Sequence, residues 1–146
     1  MTRIPIPESG VQPLDELHLL IPGTPPNLNH YVRHTRNGSH YKTDASKRFV
    51  SDVAVMLKNR FVIGQAFQVD AVIYLGPKQK GDVDGFGKVL LDALAATWVF
   101  RRRIPKGAHL QVLSDAHVVD FRIRKFRDVA NPRTEVTVRA IELLET

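Results

Sequence analysis

Two aspartates and a lysine, spaced so that their side chains share one side of the chain, form the most informative stretch of the sequence. Asp82 and Asp84 are two residues apart, an interval that directs both carboxylates the same way on an extended backbone, and Lys88 lies one helical turn beyond Asp84. A third carboxylate, Asp115, stands at the start of a predicted strand, from which folding could return it to the other two. Convergent carboxylates with an ammonium group nearby are what phosphodiester hydrolysis requires.

Such a cluster would work through Mg²⁺, which carboxylates hold while the ion keeps several waters and accepts phosphate oxygens. The ion lowers the pKa of a bound water and neutralises charge that develops at phosphorus, and Lys88 would stabilise the same charge or orient the water. Three glycines around the aspartates would remove bulk and let a phosphate backbone come close. They are Gly81, Gly85 and Gly87.

The same stretch also has a purely structural interpretation. Asp-x-Asp-Gly is ordinary turn chemistry, in which Asp84 would cap a helix and form a surface ion pair with Lys88. Asp115 by itself is typical of a loop. The combination of all three aspartates with basic surroundings favours the catalytic interpretation.

Composition limits the class of protein and the kind of metal site. The 146 residues fit one domain, 43% of them are hydrophobic, and Lys and Arg outnumber Asp and Glu by 21 to 15. This balance suits a polyanionic partner, nucleic acid or an anionic membrane surface. The absence of cysteine excludes thiolate ligands and favours a hard cation held by oxygen. Without a bilayer-length apolar run or a leader pattern, we expect a cytoplasmic protein that does not enter a membrane.

Nine aromatic and basic residues are candidates for contact with DNA backbone or unstacked bases, with a solvated surface as the alternative for each. Lys78 and Lys80 border the aspartate turn and are the better candidates among them. The full set is Tyr31, Arg33, Arg36, Lys42, Lys78, Lys80, Arg101, Arg102 and Arg103.

Hydrophobic periodicity predicts a mixed α/β domain in the order β-α-β-α-β-β, with a mixed four-stranded sheet and two main helices. Residues 1–15 are expected to form a flexible N-terminal tail before a domain at 16–146. Strands are predicted at 16–22, 65–76, 118–126 and 134–144, and helices from Asp44 to about Arg60 and from Asp84 through Leu94. Residues 23–42 and 98–113 are expected to be a long loop and an irregular segment, and Trp98 to pack in the core or a dimer contact.

Four blocks of the sequence, in order, resemble the RusA family of Holliday junction resolvases. The resemblance covers nearly the whole chain, from about Leu17 to Leu143. The blocks are the segment Pro25-Pro-Asn-Leu-Asn-His-Tyr31, the turn Asp82-Val-Asp84 with Lys88, the triplet Asp92-Ala-Leu94, and the segment Ser114-Asp115-Ala-His-Val118-Val119-Asp120.

The resemblance implies a mixed α/β homodimer that cuts four-way junction DNA symmetrically with Mg²⁺ or Mn²⁺, in a bacterial or phage-infected cell. It also implies that Asp82, Asp84 and Asp115 bind the metal and that Lys88 is essential. Two residues depart from the family pattern: Gly85 replaces an asparagine and Ser114 replaces an aspartate. The segment 98–113 is longer and more basic than the family pattern. A nuclease for other branched or single-stranded DNA, or a junction-binding protein without catalysis, therefore remains an alternative.

Overall fold

The computed structural model describes residues 3–5, 15–26, 32–34, 40–105 and 109–142, with the backbone alone for 3–5, 32–34 and 40–42. A four-stranded main sheet has the strand order β2-β10-β6-β9, in which β6 and β9 are parallel and the other neighbours are antiparallel. Its strands are β2 (Glu16–Pro22), β6 (Ala66–Leu75), β9 (Val118–Arg127) and β10 (Arg133–Ile141). The predicted mixed four-stranded sheet is therefore confirmed.

Two helices cover one face of this sheet. Helix α1 spans Asp44–Leu57 and begins at Thr43, whose hydroxyl accepts a 3.3 Å hydrogen bond from the Ser46 backbone N–H. It ends three residues before the predicted boundary, because Lys58 and Asn59 take left-handed backbone angles. Helix α2 spans Val83–Ala96. Neither helix is long and apolar enough to cross a membrane, and no other helix in the described part of the chain is.

The core lies between the helices and the covered face of the main sheet. Alternate residues of β6 point into it, as the period-two pattern predicts for a strand with one buried face. Helix α1 contributes Phe49 and Val53 to the same cluster, and α2 contributes Leu90 and Leu94.

A second sheet takes two of its strands, β7 and β8, from the segment 98–113, which was expected to be irregular. It has the order β1-β8-β7-β5, formed by β1 (Arg3–Pro5), β5 (Val62–Ile63), β7 (Phe100–Arg103) and β8 (His109–Val112). The prediction of an irregular 98–113 segment was therefore wrong. Strands of two to four residues carry too few alternations for a period-two pattern to emerge, and three of the four residues in β7 are arginines. Strand β1 falls inside the predicted tail and pairs with β8.

The predicted loop at 23–42 also contains strands. β3 (Val32–His34) and β4 (His40–Lys42) pair antiparallel, with Arg33 opposite Tyr41.

The alternation of β9 predicts that Val119, Phe121 and Ile123 point inward and that Arg122 and Arg124 point outward, and this is confirmed except at Val119. Phe121 and Ile123 pack against the core, while Arg122 and Arg124 are exposed. Val119 is 49% exposed because the register with β6 shifts there: Phe67 pairs with Val118 and Gln68 with Asp120. One extra residue on β9 at such a bulge removes its side chain from the core.

Candidate active site

The start of α2 presents two carboxylates that the helix itself does not use. Asp82 occupies the N-cap position with an extended backbone, but its side chain makes no capping hydrogen bond. Asp84 lies in the first turn and Lys88 one turn later, and all three side chains are exposed. None of the three forms an ion pair or side-chain hydrogen bond with another described residue. The structural alternative of an Asp84–Lys88 ion pair is thus not seen.

Two of the three glycines near the aspartates have a packing role. A Cβ at Gly81 would come within 2.4 Å of the Phe86 ring, and a Cβ at Gly87 within 2.7 Å of Phe121. Gly87 therefore lets α2 lie close against β9. The sequence suggested that Gly81 and Gly87 leave room for a phosphate backbone. The packing contacts account for glycine at both positions without such a role.

The turn that leads into Asp82 is held by side chains from the end of β9. The Lys125 ammonium donates to the Gly81 carbonyl at 2.7 Å, and the Arg127 guanidinium donates to the carbonyls of Gly76 and Gln79. This role of Lys125 and Arg127 was not predicted from the sequence. Lys125 and Arg127 continue the odd-numbered row of Phe121 and Ile123, so cations at the end of a core-facing row were the available signal.

Gln79 connects this turn to the loop after β2. Its side-chain oxygen accepts from the Gly76 backbone N–H at 2.6 Å, and its side-chain nitrogen donates to the Thr24 hydroxyl at 2.8 Å. The turn at 76–81 is therefore fixed from two sides before any ligand is present.

Asp115 lies at the other end of β9 from this turn. It begins a short 3₁₀ helix (Asp115–His117) that directly precedes Val118, whereas Lys125 contacts Gly81. The seven residue-to-residue steps from Val118 to Lys125 extend roughly 23 Å along a strand. Over the residues whose side chains are described, no three His, Cys, Asp or Glu side chains lie close enough together to hold a metal ion. One chain therefore brings Asp82 and Asp84 together but does not bring Asp115 to them.

The surroundings of Asp115 are fixed by its neighbours. The Ser114 hydroxyl accepts a 3.3 Å hydrogen bond from the Ala116 N–H, so this serine caps the short helix as an aspartate would. The His117 ring nitrogen Nδ1 lies 3.4 Å from the Gln65 carbonyl oxygen. Ser114, which departs from the family pattern, therefore still serves as the cap of this short helix.

Six of the nine predicted DNA contacts fall into three groups. Lys78 and Lys80 are exposed on the turn beside Asp82, and Lys78 has a left-handed backbone with φ of 63°. Arg33 and Lys42 lie on the β3–β4 hairpin, where only the backbone is described. Tyr31 and Arg36 lie outside the described residues.

The three consecutive arginines of β7 differ from one another. The Arg101 guanidinium lies 3.9 Å from the centre of the Phe61 ring, and its Nε donates to the Trp98 carbonyl at 2.8 Å. Burial lowers the pKa of Arg101. Arg102 donates to the Gln111 side chain, while Arg103 is exposed. Arg103 is thus the freest of the three for a ligand.

Trp98 was expected in the core or in a dimer contact. Its side chain is 48% exposed, so the core placement was wrong. Its backbone φ of 64° turns the chain out of α2 towards β7, and this turn carries the ring out of the core.

Comparison with known proteins places the chain among junction-cutting enzymes. No protein-family model matches it. It is 30% identical to crossover junction endodeoxyribonuclease RusA of Escherichia coli K12 over 119 residues, which are 78% of this chain and 87% of the relative. It is 28% identical to the protein of that name from Enterobacteria phage 82 over 130 residues, 86% and 95% of the two chains. The chain belongs to the RusA family of crossover junction endodeoxyribonucleases.

Proposed function

We propose that the protein is an endonuclease that cuts four-way DNA junctions with Mg²⁺ or Mn²⁺. One observation carries the proposal: Asp82 and Asp84 stand exposed and unpaired, among the described residues, on a fixed turn. They do so in a chain whose relatives are named for cutting crossover junctions. The enzyme would act in the cytoplasm of a bacterium, on host or phage DNA.

The donor atoms at this turn fit a hard divalent cation. Carboxylate oxygens are the ligands that Mg²⁺ takes in phosphate chemistry, and neither Asp82 nor Asp84 is engaged in capping or in an ion pair with described residues. When bound, the ion would neutralise charge at the scissile phosphate and activate a water for attack. The α2 N-terminus, with its partial positive charge, would help to hold the phosphate near the two carboxylates.

Lys88 acts on the substrate. Its ammonium group projects one turn beyond Asp84 on the same side of α2, so it reaches the phosphate from the helix side. It would donate to a phosphate oxygen as negative charge accumulates there in the transition state. Its lack of an ion pair with Asp84 leaves the ammonium free for this contact.

A homodimer would supply the third carboxylate. Because Asp115 and the Asp82 turn lie at opposite ends of β9, an antiparallel apposition of two copies would bring Asp115 of each to the turn of the other. β9 is an edge of the main sheet in the described part of the chain, and such an edge can accept this apposition. A two-fold dimer would also carry two sites, as paired symmetric nicks in a junction require.

The proposal is tested by cleavage of a labelled four-way junction, a flap and a linear duplex, each with and without Mg²⁺. We expect paired symmetric nicks in the junction by the wild type with metal, and none by Asp82→Asn. Binding of the junction without cleavage under any divalent metal would show a binding protein instead. Preferential cutting of the flap would assign another branched DNA as substrate.

A further inference from the structure

A basic groove lies beside the aspartate turn and contains an arginine with no role so far. The loop after β2, the first half of α1 and the turn at 76–81 form its walls, which enclose about 560 Å³. We define the basic groove by Thr24, Pro25, Arg48, Lys78, Gln79 and Lys80.

The charges in the basic groove are available to a ligand. Arg48, Lys78 and Lys80 are exposed, and none of them makes an ion pair or side-chain hydrogen bond with another described residue. Asp52 is the one carboxylate among the lining residues, so three cations face one anion. A net positive groove whose cations lack protein partners favours an anionic ligand.

Hydrogen bonds hold the walls of the groove together. Gln79 ties its two opposing loops together through Gly76 and Thr24, and Arg127 fixes the turn from the β9 side. Lys78 is held in a left-handed conformation that non-glycine residues adopt at a cost in free energy, and such strain concentrates at functional sites. Because the backbone of these walls is already held in place, it loses little entropy when a ligand binds.

We propose that the basic groove binds the sugar–phosphate backbone of the DNA strand beside Asp82, and that Arg48 supplies a phosphate contact there. This inference rests on the proposed function. Lys80 is two residues before Asp82, so a strand in the groove leads directly to the carboxylates. Pro25 and Pro26 offer an apolar wall for the sugars. Arg48 lies across from the turn on α1, so that cations meet the backbone from both walls.

The test compares Arg48→Gln with Lys58→Gln on DNA binding in the absence of divalent metal. Lys58 is also exposed and lies ten residues further along the chain, at the end of α1 and outside the groove, so both variants lose one positive charge. Four-way junctions carrying one neutral methylphosphonate at successive positions report which phosphate each side chain contacts. Thermal unfolding checks that both variants fold.

We expect Arg48→Gln to weaken junction binding about 3- to 10-fold and to lower the salt slope of log affinity by about 0.9, the value for one phosphate contact. In the wild type, one or two methylphosphonates within a few nucleotides of the cut should cause a similar loss. In Arg48→Gln the same substitutions should cost little more. Lys58→Gln should keep the full methylphosphonate effect at those positions.

Equal behaviour of Arg48→Gln and Lys58→Gln at every phosphate would overturn the inference and leave the proposed nuclease intact. Coupling of Arg48 to phosphates remote from the cut would overturn it too. Because binding is measured without metal, it does not depend on cleavage. If the wild type never cuts yet Arg48→Gln, unlike Lys58→Gln, loses the effect of one methylphosphonate, the phosphate contact of Arg48 stands and the proposed nuclease function fails.

Discussion

Charged side chains near the two ends of α2 differ in whether they have partners within the protein. At the N-terminal end, Asp82, Asp84 and Lys88 are exposed and have no partner among the described residues. Past the C-terminal end, Arg101 lies over Phe61 and donates to a backbone carbonyl, and its pKa is lowered by burial. The first set is free to bind, whereas Arg101 is already committed to the fold.

The difference lies in which groups the cations near each end bind by hydrogen bonds. Around Asp82, the cations of β9 bind backbone carbonyls of the turn, which orders the backbone and leaves the carboxylates open. Past the other end, the guanidinium groups of Arg101 and Arg102 bind the fold directly. Charge density alone therefore does not identify a binding site. A run of cations is available to DNA only to the extent that its donors lack protein partners.

The largest expected effect comes from removing one carboxylate at either end of β9. Asp82→Asn and Asp115→Asn should each lower junction cleavage about 10³-fold, because each removes a carboxylate from the proposed metal site. If the site is shared between two copies, mixing the two inactive variants should restore activity. Mixed dimers make up about half of the population and contain one intact site, so nicking should recover to about a quarter of wild type.

A single-chain site predicts no recovery in the same mixture. The control is a mixture of Asp82→Asn with Asp84→Asn, which places both defects at the same end of α2. This mixture should stay inactive because both variants carry a mutated aspartate turn, so every site in it lacks Asp82 or Asp84. Recovery of activity in this control would contradict the proposal that Asp82 and Asp84 act in one chain and Asp115 in the other.

The next effect concerns the contact that sets α2 against the sheet. Gly87→Ala should lower the free energy of unfolding by about 1–2 kcal/mol, because its Cβ would overlap Phe121 while the helix gains a better helix-forming residue. Chemical denaturation measures the loss. Phe121→Leu in the same chain should recover part of it by making room, and a purely additive double variant would contradict the contact.

The larger elements of the fold were predictable because their sequences repeat a pattern. β6 alternates over ten residues with one buried face, and α1 carries Thr43 as its N-cap and Phe49 and Val53 at helical spacing. The small sheet was not predictable, since its strands are short and pair over long sequence distances, as Arg3–Pro5 does with β8. Local patterns do not encode such pairings.

The relative placement of the candidate site residues was predictable only in part. Asp82, Asp84 and Lys88 follow one another along a turn and a helix, so their common side follows from spacing alone. The position of Asp115 depends on which way β9 runs beside β6. A parallel pairing places it at the far end, and nothing in the residues around Asp115 indicates that direction.

A smaller effect separates the arginines past the C-terminal end of α2. Arg101→Gln should cost about 1 kcal/mol of stability, because it loses the contact with Phe61 and the bond to the Trp98 carbonyl. Arg103→Gln should leave stability unchanged, since Arg103 is exposed. If the segment 98–113 binds DNA, Arg103→Gln should also reduce the salt dependence of junction binding. Equal stability of both variants would contradict the view that Arg101 stabilises the fold and Arg103 does not.

The smallest effect concerns a carboxylate near the aspartate turn that does have a partner. Asp128 accepts a 2.8 Å hydrogen bond from Arg133, which holds the pKa of this carboxyl below its usual value. A lowered pKa in the folded state contributes stability above the unfolded-state pKa of about 3.9, and this contribution is lost as the pH falls through the folded value. Wild type should therefore melt slightly above Asp128→Asn at pH 7, and the difference should shrink as the pH is lowered from 7 to 2. Melting curves that stay parallel from pH 7 to pH 2 would show that the pair does not stabilise the fold.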